Sequence, residues 1–320
     1  MTAELVVLRA LGLGDFLTGV PAYRGLRRAF PDHRIVLAAP RGHAGLAALT
    51  GAVDEVLPSA ELAPLASDRE PPAVAVNLHG RGPQSHRVLD ALSPGRRIGY
   101  PAPGWDGPPW REDEHETDRW SRLLAHHGIA SDPTDLRLPA PPEPPPVRRA
   151  VIVHPGAAYG CRRWPVDRYA AVAGALAAEG CRVVVTGGSA ERNAAELVAR
   201  GAGLPPGAVL AGATDARELA ALVADAALVV CGDTGVGHLA TAFGTPSVLL
   251  FGPTPPAYWG PRTGGPHRVL WHPEQLLGDR FTDAPDPALL AITPAEVLAA
   301  AHALLGPAGS HLYRRVTTRG

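Results

Sequence analysis

The residues best suited to chemistry lie in the octapeptide Cys231-Gly232-Asp233-Thr234-Gly235-Val236-Gly237-His238. It follows the apolar run 226–230 and leads into Leu239-Ala-Thr-Ala-Phe243, which places it between a buried strand and a helix. A helix N-terminus gathers unpaired N–H groups and the positive end of the helix dipole, a combination that favours a phosphate or diphosphate. The three glycines allow backbone to approach such a ligand, and Asp233, Thr234 and His238 add hydrogen-bonding side chains. Asp and Thr also serve as helix caps, but a cap needs one residue, not three glycines and a histidine.

Four other loops carry candidate chemistry. In Arg9-Ala-Leu-Gly12-Leu-Gly14-Asp15-Phe16, the glycines bring backbone close to a substrate, and Asp15 fits either a general base or a helix-capping acid. This is not a dinucleotide fingerprint: Leu17 stands where the third glycine belongs, and no acid closes the second strand at Ala38-Ala39-Pro40. The segment His154-Pro155-Gly156-Ala157-Ala158-Tyr159-Gly160-Cys161-Arg162-Arg163-Trp164-Pro165 joins small residues to an Arg pair and looks built to close over an anion. Glu191, after Thr186-Gly187-Gly188-Ser189-Ala190, suits ribose hydroxyls or a helix N-terminus, and Phe251-Gly252-Pro253-Thr254 with Tyr258-Trp259 suits a pocket wall or a core cover. The acidic run Glu112-Asp113-Glu114-His115-Glu116, among Trp105, Trp110 and Trp120, reads as a solvated helix face.

Each of these loops needs a strand before it. The pattern predicts strands at Glu4–Leu8, Arg34–Ala38, Ala73–Asn77, Val151–His154, Cys181–Val185, 227–230 and Ser247–Phe251. Helices are expected over Phe16–Phe30, Asp167–Glu179, Ala190–Arg200, Asp215–Ala224, Gly237–Phe243 and Pro294–Leu305. Apolar strands alternating with helices indicate parallel sheets covered on both faces. Pro139-Ala-Pro-Pro-Glu-Pro-Pro-Pro146 reads as a stiff extended linker, so the expected organisation is an α/β domain over 1–145, a second over 146–305 and a mobile tail over 306–320. Two such domains would present the carboxyl ends of their sheets to a central cleft.

Composition removes several classes. Thirty basic against 31 acidic residues give a formal charge of −1, so no global field favours nucleic acid or an anionic membrane. Every basic residue is Arg; without Lys there is neither a Schiff-base lysine nor a P-loop lysine, and phosphate contacts fall to Arg forks and backbone N–H groups. Cys161, Cys181 and Cys231 have neither disulfide nor zinc spacing, which fits a reducing cytoplasm. The start shows no basic n-region or cleavage signal, so secretion by that route is not expected, and no apolar run approaches the roughly 18 residues of a membrane span. HExxH, GxSxG, Cys-x-x-Cys and a metal-holding Asp-x-Asp are all missing.

Together these segments resemble glycosyltransferase family 9, the ADP-heptose:lipopolysaccharide heptosyltransferase family. The resemblance rests on Arg9-x4-Gly14-Asp15 with Pro21 and Leu26-Arg-Arg-Ala-Phe-Pro31, on His154-Pro-Gly156-Ala with Trp164-Pro165, and on Gly232-Asp-Thr-Gly235-x-x-His238-Leu-Ala with Gly244-Thr-Pro246 and Phe251-Gly-Pro253. It implies a GT-B architecture of two Rossmann-like domains, acceptor on the first and nucleotide sugar on the second. It further implies inverting, metal-independent transfer of a heptose or related sugar from a nucleoside diphosphate donor, ADP-heptose foremost, with Asp15 as base. Arg162, Asp233, Thr234, Gly235, Val236 and His238 would hold the donor diphosphate, and Ala157, Ala158, Glu191, Gly252 and Pro253 the nucleoside or sugar. Gly12 and Gly14 would form the acceptor loop. At position 162 the family usually has Lys; Arg keeps the charge and offers a bidentate fork.

Two other functions fit the same scaffold: a sugar-nucleotide 2-epimerase, and a nucleotide-sugar binder without catalysis. The expected partners are the nucleotide sugar, with no further cofactor or metal, and a hydroxyl acceptor, either a lipid-linked saccharide or a small natural product. The expected location is the cytoplasm, at the inner membrane face if the acceptor is a lipid.

Overall fold

The computed structural model describes residues 2–65, 69–262, 264–276 and 281–312. It divides into two compact units, Met1–Leu138 and Pro139–Gly320. The first unit carries a parallel sheet of β1 (Glu4–Leu8), β2 (Arg34–Ala39), β3 (Glu55–Pro58), β4 (Val74–Asn77) and β5 (Arg96–Ile98) in the order β3-β2-β1-β4-β5. The second carries β6 (Val151–His154), β7 (Val183–Val185), β8 (Leu228–Gly232), β9 (Ser247–Leu250) and β10 (His267–Leu270) in the order β10-β9-β8-β6-β7, also parallel. Runs of Val, Ile and Leu form the central strands because a parallel sheet is covered on both faces, and β1, β4, β6 and β8 are buried almost throughout. The edge strands β3, β5 and β10 escape sequence reading: Glu-Val-Leu-Pro, Arg-Arg-Ile and His-Arg-Val-Leu mix charge with apolar residues, as edges do.

Strand order reverses between β1 and β4 in the first unit and between β6 and β8 in the second, while all the strands run parallel. Loops leaving the carboxyl ends of such neighbours diverge, which opens a crevice for ligands. The residues singled out from the sequence follow β1, β6, β7, β8 and β9 at those ends.

Local chemistry sets the helix ends. The expected Phe16–Phe30 helix is two helices, Leu13–Thr18 and Val20–Ala29, parted at Gly19. Pro21 has no N–H to return to the preceding turn, and a Cβ on Gly19 would lie 2.4 Å from the Tyr23 hydroxyl. The helix after β7 begins later than expected: Ser189–Glu191 is a separate 3-10 turn ahead of Arg192–Gly201. The one after β8 begins earlier, at Gly235, with Thr234 as N-cap, and ends at Phe243 before left-handed Gly244 (φ 69°). Asp215 caps Ala216–Asp225 through a reciprocal pair with Glu218.

The segment 139–146 contains neither helix nor strand. The last helix, Pro294–Leu312, is interrupted at Gly306 (φ 64°), and of the expected tail residues 313–320 lie outside the described residues. No helix among the described residues is long and apolar enough to cross a membrane.

Candidate functional site

In the first unit the chemistry gathers around Arg9, the residue after β1, which is fully buried. Its Nε donates to the Asp15 carbonyl, Nη1 to the Leu78 carbonyl after β4, and Nη2 to Thr18 Oγ1 and Glu116 Oε1, both at 3.0 Å. Nη2 also lies 3.6 Å from Asp15 Oδ1, and the guanidinium sits 4.9 Å from the Trp120 ring centroid. Burial works to lower the guanidinium's pKa; the carboxylates of Glu116 and then Asp15 outweigh it and hold the group above its ordinary value. Asp15 keeps 31% of its side chain exposed, so a carboxylate beside a sealed cation still meets solvent. Gly12 is the N-cap of the Leu13–Thr18 helix and lies against the Asp15 carboxylate; Gly14 is in that helix's first turn. Gly19 leaves room for Arg9 Cδ, 3.1 Å from where a Cβ would stand.

Glu116 overturns the reading of the acidic run. Residues 111–115 are not helical, Glu114 forms a two-point pair with Arg122, and Glu116 is buried at the start of the helix Glu116–His126. Its Oε1 accepts from Arg9 and from Trp120 Nε1 (2.9 Å), and its Oε2 from Arg119 Nε (3.0 Å). No spacing rule connects Glu116 to Arg9 across 107 positions; only folding brings them together. Beyond β4 and β5 the same unit has a hollow of about 440 Å³ walled by Pro83, Tyr100, Pro101, Pro103 and Trp110, with Arg81 at its rim.

In the second unit the loops after β6 and β8 meet. Arg162 Nη1 lies 3.3 Å from Asp233 Oδ2; the carboxylate is nearly buried and the guanidinium 22% exposed. Thr234 and Gly235 are half-buried at the N-terminus of Gly235–Phe243, Val236 is buried, and His238 packs edge-on against Trp259 at 5.9 Å. Asp233, Thr234, His238, Thr241 and Trp259 line one indentation. Two of the glycines serve packing: a Cβ on Gly232 would sit 3.1 Å from the Arg162 carbonyl, and one on Gly237 3.0 Å from Leu249. Cys231 is buried, and burial followed by the charge of Asp233 pushes its thiol far up, so it is no nucleophile.

The remaining predicted residues surround this meeting point. Arg163 donates to the carbonyls of Ala157 and Ala158 and so braces the loop. Glu191 Oε2 accepts from Gly188 N (2.7 Å) and lies 3.9 Å from His154 Nε2; a Cβ on Gly156 would fall 2.0 Å from Glu191 Oε1. Burial lowers the pKa of His154 against the pull of Glu191. Gly252 and Pro253 are buried, and the Gly252 carbonyl accepts from Trp271 Nε1 (3.1 Å). Among the described residues no group of three or more His, Cys, Asp or Glu side chains is placed to hold a metal ion.

Residues 127–275, which include the Arg162–Asp233 pair, match the model of glycosyltransferase family 9 (heptosyltransferase). The chain is 34% identical to lipopolysaccharide heptosyltransferase 3 of Escherichia coli K12 over 158 residues, which is 48% of this chain and 46% of that protein. It is 30% identical to lipopolysaccharide heptosyltransferase 2 of Salmonella typhimurium over 161 residues, again 48% and 46%. The match thus spans about half the length of these curated relatives. The fold as a whole is that of the E. coli ADP-heptose lipopolysaccharide heptosyltransferase II structure, with a TM-score of 0.76, 22% identity, and 94% of this chain and 98% of that chain covered. Residues 127–275 thus resemble glycosyltransferase family 9, and the described chain has the GT-B-type α/β fold of that structure.

Proposed function

We propose that the protein is an inverting glycosyltransferase that moves a heptose or related sugar from a nucleoside diphosphate, ADP-heptose first, to a hydroxyl acceptor. One observation carries this reading: the Arg162–Asp233 pair stands beside the N-terminus of Gly235–Phe243. A guanidinium and a helix N-terminus together suit the charge that grows on a departing diphosphate, and the match of this half to the heptosyltransferase family model supports the reading. Asp233 would repel phosphate directly, so its part is to aim Arg162. The N–H groups of Thr234, Gly235 and Val236 and the side chains of Thr234 and His238 would hold phosphate oxygens. Ala157, Ala158, Glu191, Gly252 and Pro253 would shape the nucleoside and sugar surroundings.

The first unit supplies the base and the acceptor site. Asp15 takes the hydroxyl proton as the acceptor oxygen bonds to the anomeric carbon, the bond from that carbon to the diphosphate breaks, and the sugar inverts. The proton ends on the Asp15 carboxylate. The hollow of Pro83, Tyr100 and Trp110 offers flat apolar faces and one guanidinium, which suit a ring-shaped acceptor carrying an acidic group. A lipid-linked saccharide and a small natural product both meet that description. The protein would work in the cytoplasm, at the membrane face for a lipid-linked acceptor.

The test is nucleoside diphosphate release from a panel of nucleotide sugars including ADP-heptose, with and without acceptors. ADP-heptose is expected to be used best, with unchanged rates in EDTA. No release from any nucleotide sugar, or a rate abolished by EDTA and restored by a metal, overturns the reading.

A further inference from the structure

The assigned chemistry leaves Arg9 and Glu116 without a role, although they form a buried ion pair beside Asp15, with the guanidinium itself sealed from solvent. Resting on the reading of Asp15 as base, we propose that Glu116 is a positioning residue: the permanent counterion of Arg9, which frees Asp15 to accept a proton without stripping a buried guanidinium of its charge partner. A buried cation with one carboxylate resists that carboxylate's protonation, because the remaining charge would be uncompensated. With Asp15 alone, each proton uptake would break the pair, and Asp15 would be a weak base.

Three observations support this division of labour. Glu116 is held in place on both oxygens, by Arg9 and Trp120 on one and by Arg119 on the other, whereas Asp15 keeps partial exposure. Arg9 points three of its donors away from the Asp15 carboxylate, to the Asp15 carbonyl, Leu78 and Thr18, so the cation stays fixed whatever the carboxylate does. The contact of Arg9 to Asp15 is 3.6 Å and that to Glu116 is 3.0 Å, so the stronger partner is the one that never titrates in the reaction.

The other ionisable groups around the pair stay neutral or lie beyond it. Burial keeps the Tyr23 hydroxyl protonated, with Arg9 opposing and Asp15 reinforcing. Burial and then the charge of Arg9 hold His79 down at about 4, and burial lowers His43, which faces Leu11 in the same loop. Arg119 takes the second oxygen of Glu116 and turns its other donors to the carbonyls of Arg111 and Glu114. In the reaction the proton passes from the acceptor hydroxyl to Asp15, the acceptor oxygen bonds to the anomeric carbon, and the diphosphate leaves with the bonding pair. The charges on Arg9 and Glu116 do not change.

The test is the carboxyl ¹³C titration of Asp15 in the intact, ligand-free protein, assigned by its disappearance in D15N. E116Q leaves Arg9 leaning on Asp15 alone and is expected to lower the Asp15 midpoint by about one pH unit or more; R9Q leaves Glu116 facing Asp15 and is expected to raise it by a similar amount. E116D, which only withdraws the carboxylate, should shift it downward by less and provides the measurement if E116Q does not fold. The acid limb of ADP release from ADP-heptose should move in the same directions. A merely structural pair would lower activity while leaving the midpoint where it was; an unmoved midpoint, or shifts of one sign in E116Q and R9Q, overturns the proposal. D15N with undiminished transfer would instead remove the base from Asp15, a separate failure that the titration does not mimic.

Discussion

At the end of β1 the guanidinium of Arg9 is sealed from solvent between two carboxylates, whereas at the end of β6 that of Arg162 keeps 22% exposure and has one. Both stand where strand order reverses, Arg9 reaching the loop after β4 and Arg162 the loop after β8. The same topological device therefore carries two kinds of arginine. A sealed guanidinium with all three nitrogens bonded to protein acts through the groups it fixes. A half-open one with a single buried partner retains donors for a ligand. The contrast is the basis for proposing a positioning role for the first unit's arginine and a phosphate-binding role for the second's.

The largest effect should come from the carboxylate that the first arginine serves. Asp15→Asn is expected to lower transfer about 10²- to 10⁴-fold while leaving ADP affinity, measured by calorimetry, close to that of the parent. Loss of ADP binding in that variant would move Asp15 from base to donor site and erase the contrast. Next, Arg162→Ala should cost about 10²-fold in rate and also weaken ADP binding, with Arg162→Lys recovering part of both. Equal ADP affinity in Arg162→Ala would take the phosphate away from this residue.

Stability should sort the two arginines in the opposite direction. Arg9→Ala breaks the buried pair, leaving Glu116 with Arg119 and Trp120, and should cost about 3 kcal/mol in urea unfolding, whereas Arg162→Ala, at a partly exposed pair, should cost about 1 kcal/mol or less. Similar losses would mean that Arg162 is as structural as Arg9.

The smallest effect concerns histidines beside each site. His79, near Arg9, has its folded pKa held at about 4, and His154, near Glu191, is lowered as well. Both ionise more readily in the unfolded chain, near 6.5, so their neutral forms contribute stability above that pH. This contribution is lost as pH falls, for His79 across the window from about 6.5 to about 4. Tm measured over this range should fall less steeply in His79→Gln than in the parent, and an unchanged slope would remove His79 from the cluster around Arg9.

Much of the architecture could be read from the chain. β1, β6 and the helix register after β8 came from unbroken apolar runs followed by glycine and polar residues, because strands buried on both faces leave a signal that needs no partner. The edge strands β3, β5 and β10 did not, since Arg96-Arg97-Ile98 or Glu55–Pro58 becomes a strand only when a neighbour supplies the hydrogen bonds, whereas the buried edge strand β7 was legible. Gly232 and Gly237, read as room for a ligand, proved to be room for Arg162 and Leu249. Side-chain volume at a packing contact is a property of both partners, and one residue type cannot state it.

What the sequence determined by itself was where the candidate loops stand: Asp15 after the first strand, Arg162 after the sixth, and Asp233 to His238 after the eighth, each fixed by local pattern over a few residues. What only tertiary structure decided was how those charges are paired. Glu116 looked like one acid in a solvated run, and folding placed it on Arg9 across 107 positions; Asp233 looked like a ligand for phosphate, and folding set it against Arg162. The central strands and their helices follow from neighbours along the chain. The energy of a buried charge depends on which opposite charge the fold delivers to it.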